Sequence, residues 1–111
     1  MSSQPVGRNL DVVELNSFIR GYHDYKDIWQ ANLGDMLFLR REPDNPMDVH
    51  AVAVLKDGQV VGHIPYNLAP IVEMFLRRDC NKGFAEVTGA RINRGAGYGL
   101  EIPCKFKFLW T

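Results

Sequence analysis

Cysteine is scarce in this chain, and the sequence has no long apolar run. The two cysteines, Cys80 and Cys104, lie far apart and form no C-x-x-C pair. We therefore expect two reduced thiols, and neither a disulfide framework nor a zinc site. No apolar run approaches the roughly 18 residues that a membrane-spanning helix needs, and no signal peptide precedes the polar first residues. These absences predict an intracellular protein without a membrane partner.

An excess of charge is also lacking, because 13 basic residues balance 13 acidic ones. A net charge of zero argues against binding of nucleic acid by bulk electrostatic attraction. The charges are unevenly distributed, however. Residues 1–66 hold six Lys/Arg and nine Asp/Glu, whereas residues 67–111 hold seven and four. This asymmetry permits a local basic face.

Signatures of catalysis are missing as well. His23, His50 and His63 do not have the spacing of a metal site or of a nucleophile with its base. No ATPase motif occurs, and no helix start follows the glycine-rich residues 95–99, which we interpret as a long hairpin loop and not as a phosphate cradle. We expect no enzyme activity, no cofactor and no bound metal.

The length of 111 residues and the 46% hydrophobic content fit one domain with its own core. We expect a disordered tail at residues 1–10 and a single domain at residues 11–111. Asp11–Arg20 and residues 84–93 predict strands, the second with a bend or a bulge at Gly89. The clearest strand signal is the alternation of apolar residues from Leu100 to Trp110, in which Pro103 indicates an edge position or a bulge.

The central block, residues 39–65, is the most informative part of the chain. A strand ends where Pro43 forbids ladder pairing, and Asp48 is placed to cap the turn before the next strand. Asp57-Gly58 favours a tight hairpin between Ala51–Lys56 and Gln59–Ile64. Gly62 indicates a bulge or a close backbone approach, which would turn His63 toward a surface and away from ladder pairing.

One helix is predicted near residues 67–78, with Asn67 as its N-cap and Pro70 in its first turn. Its apolar stripe, which we expect to be core, follows helical spacing: Leu68, Ile71, Val72, Phe75 and Leu76. A sheet with one apolar face must close or pack to bury that face. We therefore predict a mainly β (α+β) fold, a small OB-like or SH3-like antiparallel β-barrel of about six strands with this helix inserted.

The loop after the first strand is unusual, because it places Tyr22, Tyr25 and Trp29 beside Lys26 among charged residues. Two interpretations stay open. Trp29 and one tyrosine could fold back over an end of the barrel, or the aromatic rings could form a platform on which bases stack.

In their order and spacing, several short pieces of the chain resemble the HIRAN domain family. They are Arg20-Gly21, Leu39–Pro43, Asn45-Pro46-Met47-Asp48, Ala51–Val54, Val61-Gly62-His63-Ile64 and the helix that follows. The resemblance extends over roughly residues 12 to 110 and implies a partly open barrel. It also implies capture of the 3′ end of single-stranded DNA and, from the family's presence in DNA-repair ATPases, a nuclear location.

Carried over by position, the resemblance matches Asp48 to the acid that engages a terminal 3′-hydroxyl, and His63 to a histidine that holds the backbone. Met47 and Tyr66 replace a stacking tyrosine and a lysine of the family's pattern, and Leu100 replaces another aromatic residue. Asp48 and His63 could equally be structural, as a turn cap and an ordinary satisfied histidine. The alternative function is a barrel that binds other proteins and no DNA. The predicted nucleic-acid site comprises Tyr22, Tyr25, Lys26, Trp29, Met47, Asp48, His63 and Tyr66.

Overall fold

The computed structural model describes residues 11–95 and 99–111. The strands are β1 (Asp11–Ile19), β2 (Met36–Arg41), β3 (Val52–Lys56), β4 (Gln59–His63), β5 (Lys82–Val87), β6 (Ile92–Asn93) and β7 (Leu100–Trp110). A short 3-10 helix (Tyr22–Asp24) follows β1, and the α-helix α1 (Ala69–Leu76) lies between β4 and β5. The predicted tail at residues 1–10 and the tip of the glycine-rich loop lie outside the described residues.

These seven strands form one antiparallel sheet in the order β1-β7-β5-β2-β3-β4, with β6 paired to β7 beside this path. The two edges of the sheet meet at one point, where Arg20 and His63 form an isolated antiparallel bridge. Their backbone N···O distances are 2.8 and 3.0 Å. The predicted mainly β class with one inserted helix is confirmed, with seven described strands where about six were expected.

The core lies on the inner face of the sheet, and alternation along the strands determines which residues reach it. In β2, Leu37 and Leu39 are buried while Phe38 and Arg40 are exposed. The largest fully buried side chains of the described part of the chain are Phe106, Ile19, Leu37, Ile64 and Ile102. Cys104 is also buried, which raises the pKa of its thiol to about 12, while Cys80 is exposed, and both are free thiols.

The β3–β4 hairpin forms as predicted. Asp57 (φ 52°) and Gly58 (φ 83°) occupy the left-handed conformations that such a two-residue turn requires. The register shifts within β4, where Val61 is the extra residue of a bulge. Gly62 beside it lies against Ile19 and the Arg20 carbonyl, so the predicted bulge and the predicted close approach both occur. His63 nevertheless pairs in the ladder with Ala53, contrary to our expectation, because the bridge to Arg20 holds its backbone.

Strand β7 is central in the sheet, between β1 and β5, and its register with β1 continues unshifted through Pro103, so neither the edge position nor the bulge predicted from Pro103 occurs. The proline is tolerated because β5 ends at Val87 and β6 begins only at Ile92, which leaves the ladder interrupted on that side. The carbonyl of Pro103 accepts a bond from the Thr88 N–H at 3.0 Å in this gap. The same interruption divides the single strand predicted over residues 84–93 into two.

Two details of the predicted helix are wrong. Leu68, not Asn67, occupies the N-cap, and no side chain caps the helix there. Ile71 is 68% exposed, because α1 packs on the sheet through Val72 and the buried carboxylate Glu73, and Ile71 lies outside that contact. Neither α1 nor any other helix of the described segments is long and apolar enough to cross a membrane.

Candidate nucleic-acid interface

Five of the eight residues predicted for the site line one small pocket beside the Arg20–His63 bridge: Tyr25, Met47, Asp48, His63 and Tyr66. We call it the Asp48 pocket. Its volume is about 180 Å³, and Arg20, Asp24 and Asn45 also contribute to its wall. The pocket forms because the bridge brings the end of β1 to the end of β4, while the turn after β2 folds over both.

Asp48 is held by the turn that the proline-rich segment makes between β2 and β3. Its Oδ1 accepts a bond from the His50 N–H at 2.8 Å, which is the predicted capping role. The other carboxylate oxygen has no hydrogen-bond partner within the residues the structure describes. Asp48 therefore fixes the turn with one oxygen and leaves the second available in the pocket wall.

His63 is oriented by an acidic partner that the sequence did not reveal. Its Nε2 lies 2.7 Å from Glu42 Oε1, and the same oxygen accepts a bond from the Asn45 side-chain amide at 3.2 Å. Because a carboxylate only accepts, the imidazole proton belongs on Nε2. The ring also faces Tyr25, with 6.4 Å between the two ring centroids.

Tyr66 provides an open aromatic surface at the mouth of the pocket. Its side chain is 65% exposed, and the Arg20 guanidinium carbon lies 3.7 Å from the ring centroid. Arg20 is itself held there, since its Nε donates to the Ile64 carbonyl at 3.0 Å. The cation supports one face of the ring. Met47, 88% exposed, is the second apolar group at this rim.

Tyr22 and Trp29 are core residues, which contradicts their predicted contact with nucleic acid. They are only 3% and 5% exposed, and their rings pack edge to face with centroids 5.8 Å apart. The Tyr22 hydroxyl donates to the Trp29 carbonyl at 2.9 Å, and the Trp29 indole N–H donates to Asp35 at 3.1 Å. A base cannot stack on rings packed in this way, so these residues fold back over the barrel end. Lys26 lines a separate shallow pocket with Arg91.

The charge of the Asp48 pocket is unfavourable for a phosphate. Arg20 is the one arginine or lysine that lines it, while Asp24 and Asp48 are carboxylates and Glu42 lies directly behind His63. The pKa of the Tyr25 hydroxyl is raised by partial burial first and then by the negative charges of Asp24 and Glu42, against the opposing effect of Arg20. The pocket therefore suits a hydroxyl or a base edge better than an anion.

A buried carboxylate on α1 holds the Asp48 turn from behind. Glu73 is 1% exposed and accepts bonds from both Arg77 and Arg41, with shortest distances of 2.8 Å. It also lies 3.2 Å from His50 Nδ1. These interactions, the bonds from Arg77 first, hold the pKa of Glu73 at about 2 although burial opposes them. The Glu73 cluster thus joins α1, β2 and the segment that carries Asp48.

Sequence reasoning missed the site roles of Arg20, Glu42 and Asn45. All three lie in the short segments that resemble the HIRAN family, and that resemblance is the one feature of the sequence that could have indicated them. The contacts of Arg20 and Glu42 with His63 join residues more than 20 positions apart, and local pattern alone does not give these. The described residues contain no cluster of three or more His, Cys, Asp or Glu side chains that could hold a metal ion.

The fold and the pocket define a small antiparallel β domain with a pocket at the junction of its sheet edges. A family model for the HIRAN domain matches residues 12–108, so the chain belongs to the HIRAN domain family, which is known as a nucleic-acid-binding module. A search of curated protein sequences finds no match.

Two solved structures share this fold. The crystal structure of the HIRAN domain of human HLTF superimposes with a TM-score of 0.71 and 24% identity, over 88% of this chain and 76% of that one. The crystal structure of a protein from Lactobacillus plantarum gives a TM-score of 0.67 and 16% identity, over 93% of this chain and 100% of the other. At these identities the likeness establishes the architecture and not the ligand.

Proposed function

We propose that this domain binds single-stranded DNA by its 3′ end, with the terminal hydroxyl bonded to Asp48. The observation that carries this proposal is the Asp48 carboxylate, which has one oxygen fixed by the His50 amide and one oxygen available in the pocket. A hydroxyl donates to such an oxygen, whereas an unmodified internal nucleotide of DNA offers no hydroxyl at its 3′ position. This preference would separate strand ends from continuous strands.

The size and charge of the Asp48 pocket favour binding of a strand end over binding of several consecutive nucleotides. A volume of about 180 Å³ is below the roughly 300–1,000 Å³ of sites that enclose a whole drug-sized ligand. One sugar or one base fits better than a longer segment. The excess of carboxylates disfavours a phosphate group inside, so a free 3′-hydroxyl is the form of the end that enters.

Stacking at the rim would supply the rest of the affinity. The exposed Tyr66 ring, backed by Arg20, offers a flat surface for the terminal base, and such stacking contributes about 1–3 kcal/mol per base. Met47 can pack on the same base through its flexible thioether. We propose a binding module with no catalytic activity of its own, acting in the nucleus as the family resemblance implies.

The test compares 5′-labelled single strands of about ten nucleotides that end in a 3′-hydroxyl or a 3′-phosphate, by fluorescence anisotropy. Asp48→Asn keeps the oxygen that caps His50 but removes the charge. We expect it to weaken binding of the hydroxyl-ended strand about tenfold or more, the usual value of a hydrogen bond to a charged group. The phosphate-ended strand should bind wild type weakly and respond little to the change.

Asp57→Asn in the exposed β3–β4 turn is the matched control, because asparagine also tolerates the left-handed conformation found there. It should leave both affinities unchanged. Equal binding of the two strand ends by wild-type protein, together with an unchanged affinity in Asp48→Asn, would overturn the proposal.

Protein interaction is the second candidate function, and one specific surface favours it. An apolar groove of about 510 Å³ lies between β1, α1 and β7, with Val13, Ile71, Phe75 and Trp110 in its wall. Exposed apolar patches of this kind mark interaction sites. The groove would take an apolar segment of a partner protein.

A peptide-display selection against the domain tests this second candidate. Selected apolar peptides should bind wild type and lose about tenfold in affinity with Ile71→Lys, because a charge would enter the groove. Met74→Lys is the control, since Met74 is equally exposed on α1 but does not line the groove. If no selected peptide distinguishes these two variants, the groove is not an interaction site.

A further inference from the structure

A second, larger groove lies where β2 and β5 separate beyond the Phe38–Phe84 pair, beside the segment that follows α1. Its volume is about 670 Å³, and its wall includes Phe38, Arg40, Arg78, Lys82 and Phe84. We call it the Arg40 groove. None of the residues predicted for nucleic-acid binding lies in it. It shares no lining residue with the Asp48 pocket, and it shares Arg78 and Asn81 with the apolar groove.

The Arg40 groove carries an excess of positive charge. Arg40, Arg78 and Lys82 have no carboxylate partner among the residues the structure describes, whereas several other cations are paired, such as Lys107 with Glu86 at 2.8 Å. Arg41 also lines the groove, but its guanidinium is bonded to Glu73, a carboxylate that it shares with Arg77. Asp79 is the one acid in the described wall. The groove is therefore basic in a chain whose net charge is zero.

Two aromatic rings lie among these cations. Phe38 on β2 is 60% exposed and pairs in register with Phe84 on β5. Their ring centroids are 5.3 Å apart, with 59° between the ring planes. Large exposed aromatic side chains beside unpaired Arg and Lys are the combination that binds single-stranded nucleic acid, because bases stack on the rings while cations hold the phosphates.

The Arg40 groove and the Asp48 pocket are separate cavities that each share lining residues with one intervening cleft, whose wall also holds Glu42 and Asp44. A shallow cleft formed by residues 40–46 shares Arg40, Arg41 and Pro43 with the groove, and it shares Asn45 with the pocket. The turn that positions Asp48 is thus also the floor that leads to the groove. A chain that leaves the pocket along this cleft reaches the unpaired cations.

We propose that the Arg40 groove binds the nucleotides that precede the 3′ end of the same strand, through phosphate contacts from Arg40, Arg78 and Lys82 and stacking on Phe38. This inference rests on the proposed function, because the path of the strand into the groove is set by binding of its 3′ end in the Asp48 pocket. The two sites bind different parts of the strand. The acidic pocket binds the uncharged 3′-hydroxyl end, and the basic groove binds the anionic phosphate backbone. A local basic surface also removes the conflict between zero net charge and nucleic-acid binding.

The experiment measures binding of hydroxyl-ended single strands of two lengths, a dinucleotide and about ten nucleotides, over a series of salt concentrations. In Arg40→Ala/Lys82→Ala, affinity for the longer strand should fall about tenfold. The slope of log K against log salt should become shallower by about 1.4, since each phosphate contact on a single strand contributes about 0.7. Affinity for the dinucleotide should not change. Phe38→Ala should weaken the longer strand about fivefold with little change in slope.

Lys56→Ala/Arg91→Ala is the matched control, because it removes two cations that line neither site. It should leave the slope within error of wild type. If the salt slope and the affinity for the longer strand are unchanged in Arg40→Ala/Lys82→Ala, the proposal for the Arg40 groove is overturned. This holds whether or not the protein prefers a 3′-hydroxyl end. If wild-type protein shows no preference for the 3′-hydroxyl end, while the groove variants still bind the longer strand more weakly than wild type, the Asp48 proposal alone is overturned. Stronger competition by an acidic peptide than by an oligonucleotide would assign the groove to a protein partner and reject the nucleic-acid inference.

Discussion

Gly62→Ala is expected to lower the free energy of unfolding by about 3 kcal/mol, which is at the upper end of overpacking effects. A Cβ at this position would lie 2.4 Å from Ile19 Cγ2 and 3.0 Å from the Arg20 carbonyl oxygen. Carbon atoms prefer about 3.5–4.0 Å. Ile19 is fully buried and β-branched, so it cannot move aside cheaply.

The same substitution should also weaken nucleic-acid binding, although Gly62 does not line the Asp48 pocket. Movement of the Arg20 carbonyl would lengthen its bond from the His63 N–H, now 3.0 Å. That bridge joins the two sheet edges and holds Arg20 under Tyr66. Stability and pocket geometry are therefore coupled at this one glycine.

Urea unfolding and the anisotropy assay check this prediction, with Gly89→Ala as the control. A Cβ on Gly89 would meet Pro103 at 3.5 and 3.6 Å, which is ordinary contact, and its φ is not in the left-handed region. Replacement there should be near neutral or slightly stabilising. Similar unfolding free energies for the two alanine variants would show that the sheet edges do not meet as closely as the structure indicates.

The elements that sequence could predict are those determined by local chemistry. Asp57-Gly58 specified its hairpin because few dipeptides adopt two consecutive left-handed conformations. Alternation over the eleven residues Leu100–Trp110 specified β7. The prediction from Pro103 was wrong because a proline indicates only that one backbone N–H donor is missing. The interruption between β5 and β6 that accommodates it arises from pairing with a distant part of the chain.

The candidate site could be predicted only in part, and for the same reason. Asp48 and His63 were predicted because they match the family pattern by position, and Tyr66 because it occupies the place of a lysine in that pattern, whereas the turn chemistry indicated only the capping role of Asp48. Tyr22 and Trp29 are buried whereas Tyr25 lines the pocket, and a loop without a clear period does not reveal which aromatic side chains turn inward. The Arg40 groove is likewise invisible in sequence, since Arg40 and Lys82 lie on strands that only tertiary pairing makes neighbours.

Glu73→Gln is the second change with a large expected effect, a loss of about 3 kcal/mol of stability at pH 7. Glu73 accepts charged hydrogen bonds from two arginines and contacts His50. Removing one partner from such a buried cluster costs this much because the remaining groups lose their compensation. Glutamine has nearly the same shape, so the effect reports charge and not volume.

The pH dependence separates this charge effect from a general weakening. The pKa of Glu73 is about 2 in the folded protein, against its ordinary 4.5, so the folded state binds fewer protons than the unfolded state between these values. The stabilisation is therefore complete above about pH 4.5 and declines as pH falls toward 2. Because Glu73→Gln does not titrate, the difference in unfolding free energy between it and wild type should shrink over that interval.

Glu86→Gln is the matched control, since Glu86 also forms a close ion pair, with Lys107 at 2.8 Å, but on the exposed face of the sheet. It should change stability little, because solvent screens such pairs. If the difference between wild type and Glu73→Gln is the same at pH 7 and pH 3, the stabilising charge does not reside on Glu73. If the difference shrinks as expected, the affinity of Glu73→Gln for the hydroxyl-ended strand at pH 7 should also be lower than that of wild type. The reason is that the Glu73 carboxylate holds His50 and thereby the turn that presents Asp48.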